Sequence, residues 1–226
     1  MNYALNIPLI KILITKDWHL QRKTIAMYLV GGLFSLSFIS GGEWQFFMGT
    51  TLLISALIGL GNHQITSSII NERKEYTLPF IMSLPVTPID YLVAKLIASM
   101  SLFVLPWFVV CAATLVVFWI TPIPDGFIPI TVIIGIYLFL CYAVSWTVGM
   151  ISESEAVSIF TMVFMNCLIG PVIFTFTRFS GISSHVSAAS PVWNSESVGV
   201  VVGQLVVILL ALATAFYWQA RKKTFL

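Results

Sequence analysis

Residues 71–99 read NERKEYTLPFIMSLPVTPIDYLVAKLIAS, and they separate two long apolar stretches of the chain. Four charged residues, 72–75, directly follow the first apolar stretch, and a proline-containing run then leads to Asp90 and Lys95 at the start of the second. Neighbouring helices in a bundle are usually joined by only about 2–8 residues. The extra length of this connection, and the apolar residues within it, predict a docking surface for another molecule.

The composition of the whole chain indicates an integral membrane protein. The chain has 226 residues, of which 58% are hydrophobic and 9% are charged, and its mean hydropathy is +0.98. A soluble domain of this size normally carries about 25% charged residues. Because lipid cannot satisfy exposed backbone groups, long apolar runs predict membrane-spanning helices. At about 20 residues each, six spans use roughly half the chain and leave no room for a soluble catalytic domain.

The apolar runs predict an all-α membrane protein with six transmembrane helices in residues 25–226. Residues 1–24 hold five charges among apolar residues, which is typical of an N-terminal helix that lies in the membrane interface. A mostly polar segment, 177–197, precedes the last span and is predicted to be external. The spans are expected at about 25–40, 44–67, 92–120, 127–151, 156–176 and 198–218.

The basic residues assign the two sides of this layout. With six spans, both termini, the connection at 71–91 and the turn at 152–155 lie on one side. Ten of the eleven Lys and Arg residues fall on that side, and only Arg178 falls on the other. By the positive-inside rule, the side that holds both termini is predicted to be the cytoplasm.

Motifs for catalysis or for nucleotide binding are not found in the sequence. The chain has no G-x-x-x-x-G-K-[ST] phosphate loop, no H-E-x-x-H and no G-x-S-x-G. Its three histidines are far apart, and its three cysteines lie in apolar runs without metal-ligand spacing. Secondary transporters usually place ionisable residues at the bilayer midplane. The spans show such residues only near their ends, so ion-coupled transport is disfavoured.

Three polar residues within the spans are candidates for lining a translocation pathway. Asn62 and His63 are near the cytoplasmic end of the second span, and Asn166 precedes Gly170-Pro171 in the fifth. A simpler interpretation is that the first two are hydrated at the interface. Asn166 has the alternative of a structural hydrogen bond between helices, because a mid-span amide needs a partner.

Several residues of the 71–99 stretch resemble one family of membrane proteins. The segments that match are Glu72-Arg73-Lys74-Glu75, Thr77, Leu84-Pro85-Val86, Tyr91-Leu92 and Ala94-Lys95. They resemble the connection between the second and third spans of ABC-2 type permeases, the membrane subunits of one class of ABC exporters. In that family a charged cluster is followed by a threonine, a short helix ending near Pro-Val, and a lysine that opens the third span. Tyr76 departs from the glycine that is common before the threonine.

The resemblance implies that residues 71–91 form a cytoplasmic coupling helix, which sits in a cleft of an ATP-binding subunit. Two copies of that ATPase would carry the ATP and Mg, so this chain itself is expected to bind no cofactor or metal. A second copy of the chain, or a related permease, would complete the transporter, and no nucleic-acid partner is expected. The alternative is a solvated connector whose charges hold it out of lipid. The residues expected to contact the ATPase are Glu72, Arg73, Glu75, Leu78, Phe80, Ile81, Leu84 and Pro85.

The function implied by the resemblance is that of a permease subunit of an ATP-driven exporter in the bacterial cytoplasmic (inner) membrane. It would move an apolar or amphipathic substrate by alternating access and would not itself be an enzyme. Residues 177–197 resemble the re-entrant helices of these permeases, with a loose external loop as the alternative. Other interpretations are a haem-exporter-type permease of cytochrome c maturation and a non-transporting membrane assembly or sensor protein. A membrane-embedded enzyme would need paired catalytic groups within the bilayer.

Overall fold

A computed structural model of the protein describes residues 6–74, 87–152 and 154–221. Every regular element in these ranges is a helix, which confirms the predicted helical class. The helices are α1 (Ile7–Ile39), α2 (Glu43–Ile65), α3 (Asn71–Lys74), α4 (Pro88–Ile120), α5 (Phe127–Ile151), α6 (Glu155–Cys167), α7 (Ile169–Phe176), α8 (Ser180–Ser183) and α9 (Ser195–Arg221), with a π-helical turn at Thr66–Ile70.

Within the described residues, five helical stretches are long and apolar enough to cross a membrane, which indicates a multi-pass membrane protein. The first of them combines α2, the π-helical turn and α3 into one unbroken rod. The predicted fifth span is divided at Leu168, where α6 ends and α7 begins. The five stretches are Glu43–Lys74, Ile89–Ile120, Phe127–Ile151, Glu155–Phe176 and Ser195–Gln219.

Helix α1 differs from the predicted division into an interfacial helix and a first span. Its 33 residues form one continuous helix, about 50 Å long at 1.5 Å per residue, with no end near Thr24. A helix end at that point would leave backbone groups without partners, and the continuous helix avoids this cost. The predicted interfacial position of residues 1–24 stays a prediction.

Small residues allow α1 to pack closely along α2 and α4. A Cβ atom at Gly49 of α2 would lie 2.9 Å from the carbonyl oxygen of Ser35, and one at Gly59 would lie 2.8 Å from the ring of Tyr28. Gly32 of α1 faces Val110 of α4 in the same way. Such positions let helix backbones approach each other. Helix α1 therefore runs antiparallel to α2 along most of its length.

Helix α5 is the central helix of the bundle. Its Trp146, Ala143 and Ile133 have no measurable exposure, and the ring of Tyr142 stacks on Phe103 of α4 with 4.0 Å between ring centroids. The hydroxyl of Tyr142 donates a hydrogen bond to the carbonyl of Ser99, also on α4, at 2.9 Å. The core therefore forms around α5, with the other helices packed outside it.

The long helices of the bundle begin and end at two opposite ends of the molecule. At the first, which we call the charged end, the start of α4 meets the start of α1, because Asp90 accepts a hydrogen bond from the backbone N–H of Asn6 at 3.0 Å. At the opposite end, the ring of Phe46 packs against Phe127 of α5 at 5.8 Å. Helix α1 reaches this end too, since Ile39 and Leu36 pack in the same cluster as Phe118.

The segment predicted to be re-entrant, 177–197, lies at the opposite end. It contains the four-residue helix α8, followed by turns and the start of α9, and its re-entrant character stays a prediction. It is held by Ile182, which is 5% exposed, and by a hydrogen bond from the backbone N–H of Gly126 to the carbonyl of Ala188 at 3.0 Å. The segment is therefore packed on the bundle, and its role as an outer gate stays a prediction.

Candidate functional site

Four charged side chains from three helices meet at the charged end. Lys16 and Asp17 lie on α1, Glu72 on α3 and Lys95 on α4, and we call these four residues the charge quartet. Lys95 is 2% exposed, Asp17 4% and Glu72 9%, although charged residues are almost never buried this deeply unless they are paired. The quartet is therefore an internal feature of the fold.

Every member of the quartet has a partner of opposite charge. The Nζ atom of Lys95 lies 2.8 Å from Asp17 Oδ2 and 2.8 Å from Glu72 Oε1. The Nζ atom of Lys16 lies 2.7 Å from Glu72 Oε1 and 3.4 Å from Asp17 Oδ1. Two positive and two negative charges cancel, so the burial of the group leaves no net charge uncompensated.

Tyr91 completes the coordination of the buried carboxylate. Its hydroxyl donates a hydrogen bond to Glu72 Oε2 at 3.1 Å, so both oxygens of Glu72 are engaged. Tyr91 and Lys95 are four residues apart and so share one face of α4. Asp90, one residue before Tyr91, closes a capping box with Thr87, whose hydroxyl accepts from the Asp90 N–H at 3.1 Å. The start of α4 is therefore fixed where it presents these side chains.

The charges also act on Lys16, which is partly exposed. Burial by itself would lower the pKa of Lys16, but the hydrogen bond to Glu72 and the negative charges of Glu72 and Asp17 outweigh it, and the pKa is raised. Lys16 is therefore protonated at neutral pH and holds the outer side of the quartet.

Arg73 extends the contacts of α3 to the central helix. Its guanidinium donates hydrogen bonds to the carbonyl of Ser152 and, at 3.2 Å, to the carbonyl of Met150. These are carbonyls at the C-terminal end of α5, which lack partners within the helix and favour a cation. Gln219 of α9 donates to the same Met150 carbonyl at 3.1 Å. The charged end thus connects five helices, α1, α3, α4, α5 and α9.

The charge quartet ties three helices of the bundle to one another. A buried ion pair adds little net stability, because desolvation offsets the attraction, but breaking it by removing one partner is costly. The helices that share the quartet are therefore expected to move together. Among residues 6–74, 87–152 and 154–221, no group of three His, Cys, Asp or Glu side chains is placed to hold a metal ion.

The predicted ATPase contacts divide into two groups. Glu72 and Arg73 are described, and both have partners within the chain, so neither needs an external one. The docking role of this set stays a prediction. The remaining residues fall outside the described part of the chain: Glu75, Leu78, Phe80, Ile81, Leu84 and Pro85.

Sequence patterns did not identify Lys16, Asp17 or Tyr91 as members of this cluster. Lys95 was noted only as the lysine that opens the third span. The i, i+4 spacing of Tyr91 and Lys95 was the one local signal that they act together. Asp17 and Lys95 are 78 positions apart in the sequence, and only the packing of α1 against α4 brings them together.

Two of the three pathway candidates contact each other directly. Asn166 Nδ2 donates a hydrogen bond to Asn62 Oδ1 at 3.0 Å, which joins α6 to α2. The adjacent cavity measures about 10 Å³, which is space for about one water. The ring centroid of His63 lies 6.2 Å from that of Tyr28 on α1. The structure thus has the interhelical bond that was the simpler interpretation of Asn166, and a pathway role stays a prediction.

Comparisons of the chain with protein-family models, with curated proteins and with solved structures found no match.

Proposed function

We propose that this chain is the transmembrane permease subunit of an ATP-driven exporter, and that separate ATP-binding subunits dock on its charged end. The observation that supports this proposal most is the position of the charge quartet. Residues 75–86 connect α3 to α4, and the quartet clamps these two helices together at the base of that connection. A partner that moves the connection therefore moves both helices.

The unbroken helix formed by α2, the π-helical turn and α3 carries such a movement into the membrane. It extends from Lys74 at the charged end to Glu43 at the opposite end. Rigid helices transmit displacement along their axes with little loss, because their backbone hydrogen bonds and packed side chains resist deformation. A shift imposed at residues 75–86 would therefore reach the opposite end of the bundle.

The contacts of Arg73 and Gln219 extend the same movement to α5 and α9. Both side chains donate to the Met150 carbonyl at the end of the central helix. In the proposed cycle, ATP binding closes the partner subunits, and the charged end passes that closure to α2, α4 and α5. The energy comes from the difference in nucleotide affinity between the two states.

We also propose that α1 crosses the membrane, which adds one crossing to the five stretches named above and gives six in total. Its apolar part, residues 24–39, is about 24 Å long at 1.5 Å per residue, so flanking residues would complete the span. Its contacts with Asp90 at one end and Phe118 at the other support a crossing. Both termini would then be cytoplasmic, as the basic residues predict, and two copies of the chain would pair in the cytoplasmic membrane.

Within this proposal, Glu72 has an internal role. Its carboxylate already accepts from Lys16, Lys95 and Tyr91. Contact with the ATPase would rest mainly on the residues of 75–86, whose apolar side chains would fill a cleft in the partner. The cargo is proposed to be apolar or amphipathic.

The test is co-purification with an ATP-binding subunit encoded beside this chain. The full chain carrying an affinity tag is extracted from native membranes in mild detergent, and the bound ATPase and its ATP hydrolysis are measured. We expect the pair to co-purify, and we expect Ile81→Asp to abolish the association because a charge would enter the apolar cleft.

Phe179→Asp is the matched control, because it makes the same kind of change on a connecting segment at the opposite end of the bundle. We expect it to keep the ATPase bound. The proposal is wrong if no ATPase co-purifies with the unmodified chain. It is also wrong if Ile81→Asp retains the ATPase as well as Phe179→Asp does.

A further inference from the structure

A second internal feature, an apolar cavity of about 330 Å³, lies between α2, α4 and α5. Its walls include Phe46 and Leu53 of α2, Phe118 of α4, and Ile130 and Ile134 of α5. Phe46 and Phe118 belong to the clusters at the opposite end, so the cavity lies away from the charge quartet. Its volume falls within the range of about 300–1,000 Å³ that is typical of ligand pockets.

Three of the four threonine hydroxyls in the cavity wall are already engaged within the protein. The Thr50 hydroxyl donates to the carbonyl of Phe46 at 2.9 Å, that of Thr51 donates to Phe47 at 2.7 Å, and that of Thr114 donates to Val110 at 2.8 Å. These threonines present mainly their methyl groups to the cavity. The wall therefore suits a ligand that has no hydrogen-bonding groups of its own.

The cavity is closed on one side by a weakly held helix. Ile173 of α7 contributes to the wall, yet α7 has no buried residue. On the α2 side, Phe47 lines the cavity and is 67% exposed. The cavity therefore reaches the outer surface of the bundle between α2 and α7.

The helices that flank this opening carry exposed apolar side chains. Trp44 and Phe47 of α2 and Phe174 of α7 are each more than half exposed, and all three lie on stretches that are long and apolar enough to cross a membrane. In a bilayer such residues face hydrocarbon. The species present at the opening at the highest concentration is therefore the acyl chain of a lipid.

Packing, rather than the hydrophobic effect, favours the binding of a lipid acyl chain in the cavity. Lipid tails are as apolar as leucine side chains, so moving one from the bilayer into the cavity removes no surface from water. An empty cavity, however, leaves its lining atoms without dispersion contacts. The cavity volume of about 330 Å³ is large enough to hold a segment of a lipid acyl chain.

We propose that this cavity binds the acyl chain of a membrane lipid, which enters sideways between α2 and α7. This inference does not rest on the proposed transport function, because it needs only the cavity, its apolar wall and its opening towards the bilayer.

The test uses the full chain in phosphatidylethanolamine and phosphatidylglycerol vesicles that contain a phospholipid with a diazirine near the methyl end of one acyl chain. After irradiation, adducts are mapped by mass spectrometry. Phe118 is 2% exposed and Ile130 is 9% exposed, so the bilayer reaches them only through the cavity. We expect adducts on both, and on Phe108, which is 62% exposed and serves as the positive control.

Filling the cavity is expected to remove the internal adducts selectively. Thr131→Phe places a ring in the cavity, so adducts on Phe118 and Ile130 should be lost while those on Phe108 remain. Thr214→Phe makes the same substitution at an exposed position of α9 and should leave all adducts unchanged. If Thr131→Phe does not fold, Thr50→Phe provides a second way to obstruct the cavity.

Three results would overturn the proposal. The first is labelling of Phe108 without labelling of Phe118 or Ile130 in the unmodified chain. The second is labelling of these two residues that persists after the cavity is filled. The third is a lack of internal adducts together with disulfide formation between two copies of a Phe47→Cys variant, which would show that a second copy covers the opening.

Discussion

Replacing Lys95 by methionine tests the charge quartet most directly. The Lys95 ammonium makes two contacts of 2.8 Å, to Asp17 and to Glu72, and the residue is 2% exposed. At an effective dielectric constant of about 20, each contact corresponds to about 6 kcal/mol of attraction, most of which the desolvation of the ions offsets. Removing one partner leaves the other charges buried, and such changes cost about 3–5 kcal/mol.

The measurement is the temperature at which half of the protein leaves the monodisperse peak in detergent. For a chain of this length, 1 kcal/mol lowers a melting midpoint by about 2–4 °C. Lys95→Met should therefore lower the midpoint by about 6–20 °C. Lys16→Met is the matched control. Its side chain is 37% exposed, so we expect a loss of about 1 kcal/mol or less.

A double variant separates charge from packing. Lys95→Met combined with Glu72→Gln removes one charge of each sign and leaves Lys16 paired with Asp17. The amide oxygen can still accept from Tyr91. We expect the double variant to regain at least half of the stability lost in Lys95→Met. The buried pairing does not hold the charged end together if Lys95→Met lowers the melting midpoint no more than Lys16→Met does. The same conclusion follows if the losses caused by Lys95→Met and Glu72→Gln simply add in the double variant.

Three further predictions follow from other contacts. A double-mutant cycle of Asn62→Leu and Asn166→Leu should give a coupling energy of about 0.6–1.7 kcal/mol in thermal stability, and additivity of the two variants would contradict the interhelical bond. Because the pKa of Lys16 is raised in the folded protein, its pairing contributes fully below about pH 10.5 and is lost as the pH rises further, so melting scans should show an alkaline loss that Lys16→Met lacks. If α1 crosses the membrane, Ser40→Cys in a background without other cysteines should react with a membrane-impermeant maleimide added outside intact cells. Labelling only after the cells are opened would refute the crossing.

Much of the helical layout was accessible from the sequence. The predicted fourth span, 127–151, coincides with α5, because an apolar run bounded by a proline-rich turn and by polar residues has clear ends. Helix α4 begins at Pro88 rather than at the predicted 92, since Thr87 and Asp90 form a capping box that extends it. Six crossings stay a prediction, with five stretches meeting the requirements of length and hydropathy.

The candidate site could be predicted only in part from the sequence. The charged cluster at 72–75 was recognised as important from its position, but it was interpreted as an external docking surface. The structure pairs Glu72 with Lys16 and Lys95 inside the chain. Local patterns indicate which residues are charged, but not which of them will be buried together. The coupling role of 75–86 lies outside the described residues and stays a prediction.

Hydropathy along the chain was enough to predict a helical, multi-pass membrane protein, and the spacing of its basic residues predicts which side they occupy. Hydropathy and charge are sums over local windows, and the bilayer responds to those sums directly. Local patterns did not reveal that residues 7–39 form one helix or that Asp17, Glu72 and Lys95 meet, and both features emerge from the folded bundle. These contacts depend on how three helices pack, because the charges of residues far apart in sequence become partners only when close packing excludes water between them.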